Sequence, residues 1–261
     1  MGQNADGSFT ELKRLVAHDV DVNNKLKISS IFAHIQETAN MQCEAFGCGW
    51  NDLMTKHNVC FILSRMRFEM ERYPGVGETI SIATWPNKNL KAVFTRYFVL
   101  ESENGQRLGS GVSQWVLFDV VKRCVVRPAE YDIHFPEAIS RPEPLVMPKG
   151  ALFSDGVWES EDVIRMCRMP SYSDFDYNGH VNNARYVEWM ADILPDGYFS
   201  SGKQISVIDV KYKREISYAD FISKPAPERT VNLECVPAED GGFCVRALLA
   251  DGEESVQCFV K

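Results

Sequence analysis

The sequence contains no apolar run long enough to cross a membrane and no recognisable secretory signal. Its start, Met1-Gly-Gln-Asn-Ala-Asp6, lacks an apolar run, and position 6 is Asp6 where a myristoylation site would need serine or threonine. These absences argue against a membrane partner. We therefore expect a soluble protein located in the cytoplasm.

Paired cysteine motifs are also missing. The chain has eight cysteines, but they form no Cys-x-x-Cys pair and show no spacing typical of metal ligands. They lie in apolar stretches such as Val59–Ile62 and Met166–Arg168. We expect reduced thiols in the protein core, with no metal and no other cofactor.

Positive charge is scarce, since 28 Lys and Arg stand against 36 Asp and Glu and give a net charge of −8. This balance argues against nucleic acid as the main partner. A calcium loop is excluded as well: the stretch from Asp174 to Gly179 begins like one, but its twelfth position is Arg185 instead of an acidic residue.

What the chain does have is a strong helix signal over Asn183–Leu194, in a sequence with 45% hydrophobic residues. Two apolar stripes follow helical spacing, Tyr186, Met190 and Ile193 in one and Val187, Ala191 and Leu194 in the other. Asn182 or Asn183 can cap its start, and Pro195 stops it. We predict a helix that is buried over most of its circumference.

Three polar residues alternate just before this helix: Asp176, Asn178 and His180. In an extended segment, side chains at period two project to one side. The start of a helix also offers backbone N–H groups that can polarise a carbonyl. The alternative is that these residues only cap the helix, because Asn and Asp are common at helix starts.

Before this point the chain predicts a short helix from Phe9 or Thr10 with a Ser8–Glu11 capping box, and then a strand at His18–Val22. A helix follows from Ser29 or Ser30 to Ala45, and Gly47 and Gly49 end it. The strands predicted next are Val59–Glu71, Thr79–Trp85, Leu90–Glu101 and Gln106–Asp119, with a hairpin turn at Asn104-Gly105.

The second half repeats this order. Its predicted strands are Val163–Met169, Ile205–Glu215, Thr230–Val236, Phe243–Leu249 and Ser255–Lys261, with a turn at Asp251-Gly252. The repeat predicts an α+β layout with one long helix per sheet. We expect halves at residues 1–127 and 161–261, joined by a proline-rich linker at 128–160.

The run from Asp176 to Trp189, followed by Tyr212-Lys-Arg-Glu215, closely resembles the acyl-acyl carrier protein (acyl-ACP) thioesterases of bacteria and plastids. The resemblance extends to Ser64–Glu78 and Trp85, and we expect a bacterial member. It implies a tandem (double) hot-dog fold, in which each antiparallel sheet wraps around a long central helix. The two halves would form a pseudo-dimer, and the chain would be a monomer or a homodimer.

The resemblance also implies a reaction, hydrolysis of acyl-ACP that releases free fatty acid and ends fatty-acid synthesis. The partner would be acyl carrier protein with its phosphopantetheine-linked acyl chain. Two alternatives stay open: an acyl-CoA thioesterase, and a non-catalytic protein that binds acyl chains or the carrier. A His134-Phe-Pro136 motif echoes hot-dog dehydratases, but it lies in the linker without the preceding glycine.

Carried onto this sequence, the family motif implies that Asp176, Asn178, His180 and Glu215 are catalytic. Glu215 would be the general base for water, and His180 would orient or share its proton. Asn178 would position water or the carbonyl, and Asp176 would fix the His180 tautomer or brace the loop. The backbone N–H groups of Val181, Asn182 and Asn183 would polarise the carbonyl.

Many plastid members have a cysteine directly after the glutamate, where this chain has Ile216. Water attack is therefore expected in place of an acyl-enzyme.

Carrier docking would need a local basic patch, for which the candidates are Arg65, Arg67, Lys122, Arg123, Lys211 and Lys213; each could equally lie on a solvated strand face.

One conflict concerns the phase of the strand that carries Glu215. Ile208, Val210 and Tyr212 alternate as its buried face, which points Glu215 outward. We therefore predict an irregularity at Lys213–Glu215 that turns Glu215 towards His180. The first half shows the same slip, with Tyr73 at the position of Glu215.

An alignment of the two halves places Asn24, Leu26 and Ile28 opposite Asp176, Asn178 and His180. The first half then lacks the polar set, which predicts one active site, in the second half. The first half would be free to shape an apolar tunnel for the acyl chain, with Ile35 on the helix as a candidate lining residue.

Overall fold

The computed structural model describes residues 2–87, 92–131, 133 and 141–261. These residues form two compact units. The first comprises Met1–Lys27 and Ala33–Pro148, and the second Ile28–Phe32 and Lys149–Lys261. None of the helices in the described ranges is long and apolar enough to span a membrane.

The described residues of the first part of the chain form seven strands and two helices. They are β1 (Gly2–Gln3), β2 (Phe9–Arg14), α1 (Ile28–Ala45), α2 (Trp50–His57), β3 (Val59–Met70), β4 (Thr79–Pro86), β5 (Val93–Ser102), β6 (Arg107–Asp119) and β7 (Cys124–Val126). The strands pair antiparallel in the order β1-β2-β4-β5-β6-β3, and β7 pairs with β6. This meander confirms the strands predicted from Val59 to Asp119, although the start predicted at Leu90 lies outside the described residues.

Helix α1 was predicted from its apolar spacing, and the structure confirms it. Ile31, Phe32 and Ile35 on α1 are completely buried. The helix ends where the sequence predicted, because Gly47 has a φ of +71° that only glycine adopts without strain.

The first 22 residues differ from prediction. The segment after Phe9 is strand β2, which pairs with β4, and Ser8 bonds to Asp6 instead of capping a helix. Phe9 and Glu11 are buried on one face while Leu12 is 60% exposed, so the segment alternates as a strand does. The predicted strand at His18–Val22 is a 3-10 turn at Ala17–Asp19 followed by a single bridge.

The second part of the chain contains β8 (Ile164–Arg168), α3 (Asn183–Asp192), β9 (Val207–Tyr212), α4 (Tyr218–Ser223), β10 (Val231–Pro237), β11 (Phe243–Leu249) and β12 (Glu254–Val260). The strands pair antiparallel in the order β9-β12-β11-β10-β8. Helices α2 and α4 and strand β7 were not predicted. Each is short, and their sequences carry too few periodic apolar residues to mark them.

Helix α3 is buried as predicted. Tyr186, Val187, Trp189 and Met190 are all at most 2% exposed. Asn182 caps the helix, since its side-chain oxygen accepts a hydrogen bond from the backbone N–H of Ala184 at 2.9 Å.

The described residues of the expected linker pack on the two units. Leu145 and Met147 contact a cluster around Trp85 in the first unit. Phe153 and Val157 pack beside Trp158 in the second. The motif His134-Phe-Pro136 lies outside the described residues.

The cysteines correct one expectation. All eight are free thiols, but Cys124 and Cys167 are exposed and so are not core residues. Cys167 lies on β8, which pairs with β10 along one edge. The described ranges contain no group of three metal-ligating side chains.

Candidate active site

The polar residues before α3 lie in a tightly folded loop. After a 3-10 turn at Tyr172–Asp174 the chain reverses direction: the backbone N–H of Asp176 donates to the His180 carbonyl at 2.9 Å, and that of Gly179 to the Asp176 carbonyl at 3.0 Å. Gly179 has a φ of +76°, where a side chain would be strained. Glycine therefore closes the turn and places His180 at its end.

This loop is held against the segment that follows β9. The backbone N–H of Val181 donates to the Ile216 carbonyl at 3.0 Å, and His180 forms a bridge with Ser217. Glu215 comes directly before these two partners. The backbone therefore brings His180 beside Glu215.

The predicted irregularity at Lys213–Glu215 is confirmed. Strand β9 ends at Tyr212, and the backbone N–H groups of Lys213 and Arg214 both donate to the carbonyl of Ser255, at 2.9 and 3.1 Å. Two residues facing one partner form a β-bulge. The bulge changes the alternation of the strand and turns Glu215 towards the loop.

As a result, Nδ1 of His180 lies 3.6 Å from a carboxylate oxygen of Glu215, with the two side chains 36% and 51% exposed. The distance fits an ion pair but is longer than a hydrogen bond. The neighbouring Tyr186 is buried, and burial, together with the nearby charge of Glu215, raises the pKa of its hydroxyl. Nδ1 faces the carboxylate, so Nε2 is the ring nitrogen left for another partner.

Asp176 and Asn178 do different work in the loop. One carboxylate oxygen of Asp176 accepts the backbone N–H of Asn178 at 2.9 Å, and the other lies 3.4 Å from the side-chain nitrogen of Asn182. Asp176 therefore braces the loop and the helix cap. The Asn178 side chain is exposed, and its amide makes no hydrogen bond in the part of the chain that the structure describes.

The expected carbonyl-polarising groups are mostly occupied. The backbone N–H of Val181 donates to the Ile216 carbonyl, and that of Asn182 to the Asp174 carbonyl at 2.9 Å. This corrects the expectation for these two, because the fold itself uses their hydrogen bonds. The role of Asn183, the first residue of α3, remains a prediction.

The first unit contains a second copy of this loop. The N–H of Asp21 donates to the Lys25 carbonyl at 2.8 Å, the N–H of Asn24 to the Asp21 carbonyl at 3.0 Å, and the N–H of Leu26 to the Pro74 carbonyl at 2.8 Å. These bonds repeat those of the second loop one by one. The positions that correspond are Asp19 and Asp174, Asp21 and Asp176, Asn23 and Asn178, Asn24 and Gly179, Lys25 and His180, Leu26 and Val181, and Pro74 and Ile216.

The sequence alignment of the halves was therefore wrong by three residues. Asn24 corresponds to Gly179, not to Asp176, and both have a positive φ, of 57° and 76°. The first half keeps the Asp and Asn of the set, and in both copies the Asp carboxylate accepts the backbone N–H of the Asn. What it lacks is the histidine, which is replaced by Lys25.

The match of Tyr73 with Glu215 is confirmed. The backbone N–H groups of Glu71 and Arg72 both donate to the Leu108 carbonyl, at 2.8 and 3.1 Å, which is the same bulge. The repeat thus separates residues that build the loop from the two, His180 and Glu215, that belong to one half only.

Ser255 also belongs to the site, although no sequence motif marks it. Its hydroxyl donates to the Arg214 carbonyl at 2.6 Å and lies 3.3 Å from the Tyr186 hydroxyl. Leu108 occupies the same place in the first unit and cannot make these bonds. The serine therefore adds a side-chain hydrogen bond across the bulge in the half that carries Glu215. Its distance from Glu215 along the chain left no sequence signal for this role.

Models of the acyl-ACP thioesterase N-terminal and C-terminal domains match residues 7–133 and 160–238. The chain belongs to the acyl-ACP thioesterase family. It is 25% identical over 223 residues to a palmitoyl-acyl carrier protein thioesterase of Gossypium hirsutum, which covers 79% of this chain and 52% of that protein. It is 23% identical over 259 residues to a dodecanoyl-[acyl-carrier-protein] hydrolase of Cinnamomum camphora, with 92% and 63% covered. The chain spans about half the length of the first of these curated relatives.

Solved structures show the same fold. An acyl-ACP thioesterase from Bacteroides thetaiotaomicron superposes with a TM-score of 0.80 at 21% identity, covering 100% of this chain and 99% of that one. A 12:0-ACP thioesterase from Umbellularia californica gives 0.79 at 20% identity, with 100% and 98% covered. The α+β class and the double hot-dog fold are confirmed.

In this family member a cavity of about 290 Å³ opens beside the loop. Tyr172, Phe175 and Tyr218 form an aromatic wall, with ring centroids 5.0 Å apart for Phe175 and Tyr218. Asp176 and Gly179 line it as well, so it borders the residue next to His180. Its volume lies near the lower end of small-molecule sites, roughly 300–1,000 Å³.

The cations expected to dock the carrier need one correction. Arg65 is only 7% exposed, and its guanidinium donates to the Pro148 carbonyl at 2.9 Å. A buried, bonded guanidinium is not available for docking. Arg67 pairs with Glu69 at 2.6 Å, and Lys213 pairs with Glu254. Docking through Arg67, Lys211 and Lys213 remains a prediction.

Proposed function

We propose that this protein hydrolyses the thioester of acyl-ACP and releases free fatty acid, ending fatty-acid synthesis. The observation that carries the proposal is the His180–Glu215 pair, formed by a loop and a bulge at 3.6 Å. Thioester hydrolysis needs an activated water. A general acid matters less, because the departing thiolate is already a good leaving group. Membership in the acyl-ACP thioesterase family supports the choice of substrate.

In the proposed mechanism Glu215 takes a proton from the attacking water. His180 presents Nδ1 to the same carboxylate, so it orients Glu215 and shares the proton. Hydrogen bonds of catalytic groups are often long in the free enzyme and shorten when substrate binds, which suits a distance of 3.6 Å. The position directly after Glu215 is Ile216, which cannot act as a nucleophile, so covalent catalysis by a cysteine at that position is excluded.

Asn178 is the candidate that contacts the substrate carbonyl or the water. Its amide is exposed at the tip of the loop and offers two N–H donors. With the N–H groups of Val181 and Asn182 engaged, this side chain takes over much of the polarising role expected of the backbone. The Asp176 carboxylate holds Asn178 in place by accepting the backbone N–H of Asn178.

The partner in this proposal is acyl carrier protein bearing an acyl-phosphopantetheine arm. The acyl chain would be held by the first unit, where Ile35 on α1 is the candidate lining residue. The cytoplasmic location, the expected halves at 1–127 and 161–261, and the choice between monomer and homodimer remain predictions.

The test compares release of free thiol from acyl-ACP by wild type, Glu215→Gln and His180→Ala. We expect kcat to fall by about 10²- to 10⁴-fold in each, as for the loss of a general base or its partner. The controls are Glu239→Gln, at an exposed position of the same unit, and His18→Ala, whose side chain is 86% exposed.

Both controls should keep wild-type rates. A Glu215→Gln variant with wild-type kcat would remove Glu215 as the base. A wild type that binds acyl-ACP but releases no thiol would replace the proposal with a non-catalytic acyl-binding or carrier-binding function.

A further inference from the structure

Two cysteines meet at the end of α1 because of how the helix terminates. The backbone N–H of Gly47 donates to the Glu44 carbonyl at 3.0 Å, and that of Cys48 to the Cys43 carbonyl at 3.0 Å. With Gly47 at positive φ, these two bonds form a Schellman motif. Side chains at the first and last positions of this motif contact each other, and here both are thiols.

A buried cation lies against this pair. Arg96 on β5 is 8% exposed, and its guanidinium lies 3.5 Å from the Cys43 sulfur and 3.2 Å from the Thr84 hydroxyl. Its third partner is the side-chain oxygen of Gln42. No carboxylate within the described ranges pairs with Arg96, so its charge is left to act on the sulfur.

The pKa values of the two thiols are shifted in opposite directions. The hydrogen bond with Cys48 and the charge of Arg96 lower the pKa of Cys43 against the opposing effect of burial. The same hydrogen bond and burial raise the pKa of Cys48. Burial also raises the pKa of Cys235 to about 12 and that of Cys244 to about 11. Cys43 therefore differs from the other thiols of the core.

We propose that Cys43 and Cys48 form an oxidation site, in which Cys43 reacts with a hydroperoxide and Cys48 resolves the product as a disulfide. Cys43 is partly exposed and Cys48 is buried, and the two pack together in one cluster at the end of α1. Thiolates beside a cation react fastest with peroxides. The proposal is independent of the thioesterase reaction.

The chemistry balances with the hydroperoxide as the only added reagent. The Cys43 thiolate attacks the peroxide, an S–O bond forms, the O–O bond breaks, and the leaving alkoxide or hydroxide takes up a proton. The Cys48 sulfur then attacks the sulfenic acid, an S–S bond forms, and the hydroxyl leaves as water with the Cys48 proton. The two sulfurs are oxidised and the hydroperoxide is reduced.

The test treats the full chain with dilute hydrogen peroxide at pH 7 and follows each cysteine by peptide mass spectrometry. We expect the Cys43–Cys48 disulfide to form at least about tenfold faster than any oxidation of Cys124 or Cys167. These exposed thiols are internal controls for simple accessibility. Faster oxidation of either one than of Cys43 would overturn the proposal.

Two variants separate the roles of the thiols. Cys48→Ser should leave Cys43 without a resolving partner, so that it proceeds to sulfinic acid. Arg96→Lys keeps a cation and should preserve the rate, whereas Arg96→Met should slow it about tenfold. If Arg96→Met does not fold, the Cys48→Ser result alone decides: an unoxidised Cys43 there contradicts the proposal.

Discussion

His180 and Glu215 stand apart from Asp176 and Asn178 once the two copies of the loop are compared. Asp21 makes the same bond to the backbone N–H of Asn23, at 2.9 Å, that Asp176 makes to Asn178. A carboxylate that makes the same backbone bond in both copies serves the turn, whereas His180 and Glu215, which occur in one copy only, have no counterpart in the other turn. By this criterion the aspartate is a positioning residue.

The aspartates can be tested as a pair. Asp176→Ala and Asp21→Ala should each lower the free energy of unfolding by about 1 kcal/mol or more, since each loses the hydrogen bonds that its carboxylate accepts in the loop. Only Asp176→Ala should lower kcat, because its loop presents His180. Thermal unfolding and thiol release measure the two effects, and an equal loss of kcat in both variants would contradict the division.

The sequence was sufficient to locate Asp176, Asn178, His180 and Glu215. It did not show which of them build the loop and which occur in one half only. The run from Asp176 to Asn183 is dense enough in motif residues to identify the site. The alignment of the halves failed by three residues because it was anchored on helix stripes, whereas the loops are matched by backbone bonds. The engagement of the Val181 and Asn182 N–H groups is likewise set by partners distant in sequence.

At the scale of elements, the site depends on one interruption in β9. Strict alternation would point Glu215 away from His180, and the bulge opposite Ser255 reverses this. This feature was predictable, because the conflict between buried phase and required direction was visible in the sequence. The N-terminal strand was not, since Ser8 and Glu11 imitate a capping box.

Ser255→Ala tests the bulge. Loss of the hydroxyl bond to the Arg214 carbonyl should loosen Glu215 and lower kcat about tenfold, with KM nearly unchanged. The matched control is Ser206→Ala, whose hydroxyl donates to the Lys261 carbonyl at 3.0 Å near the opposite end of β9 and β12. Equal rates for both variants would show that Ser255 does not position Glu215.

At the scale of the whole molecule, the two units repeat the same order of helix and antiparallel strands but differ at the positions of His180 and Glu215. The repeat of helix and antiparallel meander made the α+β class predictable from sequence. Under the proposed function, this asymmetry places the reaction in the second unit. It leaves the first unit, with Lys25 and Tyr73 in place of the pair, free for another task.

If that task is to hold the acyl chain, filling its core should change chain-length preference. Ile35 is completely buried on α1, so Ile35→Trp should shift activity towards shorter acyl chains. Turnover across acyl-ACP substrates of increasing length measures the shift. Ile35→Val is the control for stability, and an unchanged profile in a folded Ile35→Trp protein would remove the idea.

The most direct test of the account is free-thiol release from matched acyl-ACP and acyl-CoA sets across chain lengths, with Glu215→Gln in parallel. The account predicts much faster turnover of the acyl-ACP set by wild type, and loss of that turnover in Glu215→Gln. Preference for acyl-CoA would make the protein a general thioester hydrolase. If Glu215→Gln released thiol as fast as wild type, the assignment of the active site to Glu215 and His180 would be wrong.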